Sequence, residues 1–123
     1  MFVQAGAIVK IAIVGSRDYP DLNAVREYVR SLPKDTIVVS GGARGVDRTA
    51  EYEAVKCGLQ VQIFRPNWLK AGVYNRAAGF ERNLTIVEYA DTVVAFLNND
   101  SKGTSHTIRI AKRAGKPVTV ITP

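Results

Sequence analysis

The stretch IVVSGGARGVD, residues 37–47, joins an apolar run to a glycine-rich turn and then to the start of a helix. An apolar run without polar alternation is typical of a strand buried on both faces of a parallel sheet. Apolar residues then recur at helical spacing until Gly58, at Val46, Ala50, Ala54 and Cys57. The stretch therefore predicts a strand, a turn and a helix in the order typical of α/β proteins.

The same unit recurs along the chain. Four more runs rich in Val and Ile cover residues 11–14, 61–64, 93–97 and 118–121. Helical spacing predicts three more helices, whose apolar faces are Leu22, Val25, Val29 and Leu32; Phe80, Leu84 and Val87; and Ile108, Ala111 and Ala114. Asp21 is the expected cap of the first helix, and Pro33 follows its end. The segment 65–79, with Trp68, is the one long stretch that is expected to be irregular.

Five strands alternating with four helices predict an α/β fold. We expect a single Rossmann-like three-layer domain over residues 1–123, with a five-stranded parallel sheet and helices on both faces. The length of 123 residues and the 46% hydrophobic content fit one packed core.

Composition limits the setting and the partners. No apolar run reaches about 18 residues, so no membrane span is expected. The amino-terminal segment lacks a basic leader and a cleavage-site pattern, so no signal peptide is predicted. The single cysteine cannot form an internal disulfide, which fits a cytoplasmic protein. The net charge of +6 favours anionic partners.

Three turns with related chemistry follow three of the strands. Ligands bind open parallel sheets at the carboxyl ends of the strands, near the point where the strand order reverses. The candidate ligand-binding residues of the turns are Gly15, Ser16, Arg17 and Asp18; Ser40, Gly41, Gly42, Arg44, Gly45 and Asp47; and Ser101, Gly103 and Thr104. Each turn combines glycine and a hydroxyl with a cation, here Arg17, Arg44 or Lys102. Together the three turns predict an anion-binding site.

Phosphate is the anion that this chemistry favours. Glycine lets backbone N–H groups approach a phosphate, a helix amino terminus adds positive partial charge, and arginine binds with two parallel hydrogen bonds. Each turn alone also has a plainly structural interpretation. Glycine is common at strand–helix turns, Arg44 could be a solvated side chain, and Asp47 could simply cap its helix.

The sequence as a whole resembles a known superfamily. The segments VGSRDY (14–19), VVSGGARGVDRTAE (38–51), AGFERN (78–83), ADTVVAF (90–96) and SKGTSHTIRIAKRAGKPV (101–118) resemble the SLOG superfamily, and within it the YspA-type (YpsA-related) branch. The superfamily includes the Rossmann-like domain of DNA-processing protein A and the Lonely-guy phosphoribohydrolases. The resemblance implies binding of a nucleotide or a nucleotide-derived small molecule.

The Lonely-guy enzymes, which cut N-glycosidic bonds of nucleoside monophosphates, allow a comparison by residue. They carry an arginine nine residues before an aspartate that opens a strand, as Arg82 precedes Asp91 here. Their PGGxGTxxE turn, however, ends in a glutamate where this chain has Thr107. The resemblance therefore implies ligand contacts by Arg82, by its neighbour Asn83 and by Thr107, although threonine cannot replace a catalytic carboxylate. Asp18, Asp47, Glu51 and His106 are the candidate replacements.

The sequence thus predicts a nucleotide-binding protein that requires no added cofactor and has no metal site, since it holds one histidine and one cysteine. A nucleotide N-glycosidase, with Arg82 and Asp47 as candidate catalytic residues, is one alternative. Nucleic-acid binding, as in DNA-processing protein A, is the other and the less favoured one; Arg109, Lys112 and Lys116 would supply a basic stripe, or simply a solvated helix face. Trp68 either stacks on a base or covers the sheet edge. Relatives that pair through helices suggest a homo-oligomer.

Overall fold

The computed structural model describes residues 8–123. The segment 1–7, which belongs to the region for which no signal peptide is predicted, lies outside the described residues. The elements in chain order are β1 (Val9–Gly15), α1 (Leu22–Arg30), β2 (Thr36–Ser40), α2 (Val46–Lys56), β3 (Gln60–Ile63), β4 (Leu69–Lys70), β5 (Val73–Tyr74), α3 (Ala78–Tyr89), β6 (Thr92–Phe96), α4 (Lys102–Arg113) and β7 (Val118–Ile121).

Five of the strands form one parallel sheet of order β3-β2-β1-β6-β7. The chain builds outward from β1 to β3 and then crosses to the other side of β1, where β6 and β7 follow. In the central register, Ile11 of β1 lies between Val38 of β2 and Thr92 of β6. The predicted α/β fold with a five-stranded parallel sheet is confirmed, and the strand order reverses between β1 and β6.

The two faces of the sheet are covered by different helices. α1 and α2 pack on one face around Ile13, Val25 and Phe96, while α3 and α4 cover the other around Val14, Ile86 and Val93. Asp21 caps α1 as predicted, because its carboxylate accepts the N–H of Ala24 at 3.1 Å. No helix among residues 8–123 is long and apolar enough to cross a membrane.

The predicted apolar faces of the last two helices are partly wrong. Phe80 and Leu84 are 51% and 48% exposed, and α3 instead buries Ala78, Asn83, Ile86 and Val87. The helix is rotated so that a polar residue, Asn83, faces inward, which an apolar pattern cannot reveal. Ala114 is exposed and lies just beyond α4, which ends at Arg113.

The segment 65–79, predicted to be irregular, contains a small antiparallel hairpin formed by β4 and β5. Its two-residue turn has positive φ at Ala71 (53°) and Gly72 (79°), the pattern of a primed hairpin turn. Such turns normally carry Asn-Gly or Asp-Gly. Alanine in the first position hid the hairpin from the sequence.

Candidate functional site

A pocket of about 510 Å³ lies at the carboxyl ends of β1 and β6, where the strand order reverses. We call it the switch-point pocket. The predicted site residues that line it are Gly15, Arg17, Asp18, Asp47, Arg82, Asn83, Ser101, Gly103, Thr104 and Thr107. The first and third turns, α2, α3 and α4 thus contribute to one pocket, of a size that suits a small ligand.

A second concave region of about 370 Å³ adjoins the pocket. We call it the arginine cleft, because its lining includes Arg17, Arg44, Arg48, Arg65 and Arg82. Gly41, Gly42, Ala43, Pro66 and Trp68 complete it. Gly41, Gly42 and Arg44, predicted to share one site with the other turns, therefore lie in this neighbouring cleft. Arg17, Ala43 and Arg82 line both regions.

Ser16, Ser40 and Gly45 line neither region, and their contacts are structural. The Ser16 hydroxyl accepts the N–H of Asn98 at 3.0 Å, which ties the first turn to the third. The Ser40 hydroxyl donates to the Glu51 carboxylate at 2.6 Å. These residues position the turns, and the prediction that they contact a ligand finds no support in their placement.

Gly45 brings the first and second turns into direct contact. Its φ is +81°, a conformation that favours glycine. A Cβ atom at this position would lie 2.6 Å from the carbonyl oxygen of Arg17. The glycine is therefore required by the close approach of two backbones and by its own conformation.

Arg82 stands between the two regions, on the second turn of α3. Its Nη1 donates to the carbonyl of Gly41, and its Nε donates to the side-chain oxygen of Asn83 at 2.9 Å. Burial lowers the pKa of this guanidinium, an effect that the nearby Asp47 opposes. Arg82 nevertheless stays cationic at neutral pH, because arginine in proteins does not deprotonate there. It is held by the protein on one side and open to a ligand on the other.

Asp47 is a buried carboxylic acid in the wall of the switch-point pocket, only 5% exposed. Its Oδ2 accepts the N–H of Ala43 at 3.2 Å, so it holds the glycine turn as well as facing the pocket. Burial raises the pKa of Asp47 to about 6, although the Ala43 N–H and the charge of Arg82 pull it down. The group is therefore poised to change protonation close to neutral pH.

Thr107, which stands where the Lonely-guy pattern has glutamate, has its hydroxyl engaged by the backbone. It donates to the carbonyl of Gly103 at 3.1 Å. The Asn83 amide also donates to Gly103, at 3.4 Å, and lies 3.2 Å from Nδ1 of His106. These contacts fix the start of α4 as one wall of the pocket.

The four candidate replacements for the missing glutamate have different locations. Asp18 and Asp47 line the switch-point pocket. Glu51 is hydrogen-bonded to Ser40. The His106 ring packs on Phe80 with the centroids 4.2 Å apart, and burial lowers its pKa. Neither Glu51 nor His106 lines the pocket.

Several lining residues were not among those predicted. Ala43, Asn98, Asn99 and Asp100 line the switch-point pocket, and Arg48 and Arg65 line the arginine cleft. Two features of the sequence could have indicated these two arginines of the cleft. Arg48 lies four residues after Arg44, and Arg65 follows shortly after β3, at the same sheet edge as the three turns.

The predicted basic stripe on the last helix is not a continuous surface. Lys116 lies beyond the end of α4, and its Nζ donates to the carbonyls of Glu88 and Ala90 at 3.1 and 2.6 Å. It thereby satisfies carbonyls at the carboxyl end of α3. Arg109 and Lys112 are exposed, but without Lys116 the stripe has lost its third cation.

Comparison with known proteins identifies the family. Residues 3–64 match the family model of DNA recombination-mediator protein A. The chain belongs to this family. It is also similar to the Gene 61 protein of Mycobacterium phage D29, with 34% identity over 119 residues that cover 89% of this chain and 93% of the phage protein.

Two solved members of the DNA processing protein A group share the fold. The protein from Streptococcus pneumoniae superposes with a TM-score of 0.77 at 18% identity, over 92% of this chain. The protein from Helicobacter pylori, described for its single-stranded DNA binding mode, superposes with a TM-score of 0.72 at 21% identity, over 91% of this chain. This chain spans only 50% and 64% of those two proteins. Assignment to the YspA-type branch stays a prediction.

Proposed function

We propose that this member of the DNA recombination-mediator protein A family binds single-stranded DNA in the arginine cleft. The observation that carries the proposal is the convergence of five arginines on one cleft. Among the described residues that line it, none is acidic. Clustered arginines favour a chain of phosphates over a single anion, because each guanidinium can take its own phosphate.

The construction of the cleft supports a strand as ligand. Arg44, Arg48 and Arg65 are exposed, so they can follow a flexible backbone. Trp68 stands beside them with 44% of its surface exposed. Cations that track the backbone and aromatic rings that take bases are the usual elements of single-strand binding. The Helicobacter pylori relative, with the same fold, is described as binding single-stranded DNA.

A salt titration tests the proposal. Binding of a labelled oligothymidylate, followed by fluorescence anisotropy, should weaken by tenfold or more between about 50 and 200 mM salt, because released counterions drive it. Arg48→Ala and Arg65→Ala should each weaken binding by roughly fivefold and lower the salt slope by about one.

Arg113→Ala is the matched control. Arg113 is an exposed arginine at the far end of α4 that lines neither region, and its loss should leave binding unchanged within about twofold. Binding that is absent, independent of salt, or equally sensitive to Arg113→Ala would refute the arginine cleft as the site.

A second candidate function is binding of a nucleotide-derived small molecule in the switch-point pocket. It is favoured by the volume of about 510 Å³ and by four buried polar residues in the walls, Asp47, Asn83, Thr104 and Thr107. A phosphate would face Arg17 and Arg82, with the sugar or base toward the buried polar walls. No added cofactor is required in this proposal, and Asp47 would be the carboxylate available for N-glycosidic hydrolysis.

Thermal-shift measurements with nucleoside monophosphates, ADP-ribose and NAD test this second candidate. A ligand at 100 times its Kd should stabilise the protein by about 2.7 kcal/mol, by mass action. Arg82→Ala should remove the shift, whereas Arg65→Ala, which lies in the cleft alone, should keep it. The absence of any shift at millimolar ligand would exclude the small-molecule function.

A further inference from the structure

The hairpin between β3 and α3 exposes an unusual amount of apolar surface. Within seven residues, Trp68, Leu69, Val73 and Tyr74 are 44%, 66%, 68% and 64% exposed. We call residues 68–74 the aromatic hairpin. Contiguous exposed apolar groups on a small protein commonly mark a binding surface.

The aromatic hairpin is held firmly enough to present its rings in a fixed place. The N–H of Asn75 donates to the carbonyl of Trp68 at 2.7 Å. The Asn75 amide donates to the carbonyl of Asn67 at 3.2 Å and to the Glu81 carboxylate at 3.0 Å. These bonds tie both ends of the hairpin to each other and to the first turn of α3.

The two rings of the hairpin have a common orientation. Trp68 and Tyr74 are parallel within 5°, with centroids 6.2 Å apart. Gly79 of α3 lies next to the indole, whose Cη2 would be 3.8 Å from a Cβ atom at that position. Half-exposed parallel rings offer flat faces on which another flat group can stack.

The surroundings identify the chemistry of that flat group. Trp68 itself lines the arginine cleft together with Arg65, so the hairpin continues the cleft. Lys70 and Arg76 are exposed on and beside the hairpin, and the adjacent carboxylate of Glu81 is engaged by Lys70 at 3.8 Å and by Asn75. A ligand that is both aromatic and anionic fits this surface. Each nucleotide of a single strand combines those two properties.

We infer that the aromatic hairpin stacks the bases of a single-stranded nucleic acid whose phosphates lie in the arginine cleft, with Trp68 as the ring that contacts a base. The inference rests on the proposed function and adds a base-contacting surface to it. Stacking accepts any base, so this surface contributes affinity and sets the path of the strand without selecting a sequence.

Tryptophan fluorescence can measure the contact between Trp68 and a base directly, because Trp68 is the single tryptophan of the chain. Its fluorescence should be quenched by an oligothymidylate of about 12 nucleotides. It should remain unchanged with an abasic oligomer of the same length at saturation, since that oligomer keeps the phosphates and lacks the bases.

Substitutions give an independent measurement. Trp68→Ala should weaken oligothymidylate binding by about tenfold, and Trp68→Phe, which keeps a stacking ring, should weaken it by no more than about threefold. Neither change should affect abasic binding. Tyr52→Ala is the control, because Tyr52 is 74% exposed on α2 and lines neither the arginine cleft nor the switch-point pocket; it should bind like the unaltered protein.

The outcomes separate the two proposals. Salt-sensitive binding of oligothymidylate without quenching, and with an unchanged affinity in Trp68→Ala, would overturn the stacking surface and leave the arginine cleft standing. Binding of neither oligomer would remove both proposals. A change in oligomeric state in Trp68→Ala with unaltered DNA affinity would assign the hairpin to protein contacts instead and so overturn the inference.

Discussion

The switch-point pocket and the arginine cleft share a wall but differ in charge and burial. Two arginines face three carboxylates in the pocket, from Asp18, Asp47 and Asp100. Five arginines line the cleft, and no carboxylate accompanies them among the described lining residues. The pocket walls include buried, hydrogen-bonded side chains, whereas Arg44, Arg48 and Arg65 of the cleft are exposed.

Because of this difference, the two neighbouring regions of the sheet edge favour different ligand groups. A run of phosphates is favoured in the cleft, which has no carboxylate among its described lining residues, and opposed in the pocket, where three carboxylates would repel it. Donor groups of a sugar or base suit the pocket. This contrast is the reason why we propose DNA binding for the cleft and keep nucleotide binding, which the sequence favours, as the second candidate for the pocket.

The largest expected effect comes from Gly45→Ala, which should disturb both regions at once. The added Cβ would meet the Arg17 carbonyl oxygen at 2.6 Å, in a backbone conformation with φ +81°. Strain and clash together should lower the free energy of unfolding by about 3 kcal/mol or more. Chemical denaturation measures this loss, and binding in both regions should weaken.

Gly58→Ala provides the matched control. Gly58 has a similar φ of +76° but no atom within 4 Å of the added Cβ, so only the conformational cost of about 1–2 kcal/mol remains. If both variants lost the same stability, the contact between the first and second turns would not matter.

A slightly smaller change in stability, in the opposite direction, is expected from Asp47→Asn. This substitution alters the pocket and leaves the arginines in place. The native pKa of about 6 exceeds the ordinary value of 3.8, so the native state binds the extra proton between these values. Stability therefore falls as pH rises through this window, and the fall is complete above the native pKa. Replacing the acid by asparagine should raise the free energy of unfolding by as much as about 3 kcal/mol at pH 8 and should change it little at pH 4.

Denaturation curves across that pH range, with oligothymidylate binding measured alongside, sharpen the comparison. DNA affinity at neutral pH should change by less than about threefold, because Asp47 does not line the cleft. A stability gain that is independent of pH would show that Asp47 is not a strained buried acid. A large change in DNA affinity would show that the two regions act as one site.

Much of the fold and part of the site followed from local sequence patterns. The five strands, the four helices and the Asp21 cap were predictable, because burial on both faces gives apolar runs and helical packing gives a regular spacing. The rotation of α3 was not predictable. Asn83 can be buried because its amide is hydrogen-bonded, and the spacing of apolar residues gives no information about such bonds. The hairpin was missed because Ala71 takes a positive φ that alanine rarely adopts.

The sequence by itself determined that three turns of related composition would meet at the carboxyl edge of a parallel sheet. Connectivity and chain direction fix that outcome. Only the tertiary structure decided which side chains face which region. Arg65, 48 positions after Arg17 and 17 before Arg82, joins these two arginines in one cleft. Ser16 and Ser40 are buried instead. Side-chain direction depends on helix rotation and backbone contacts between distant segments, and these are set by packing of the whole sheet.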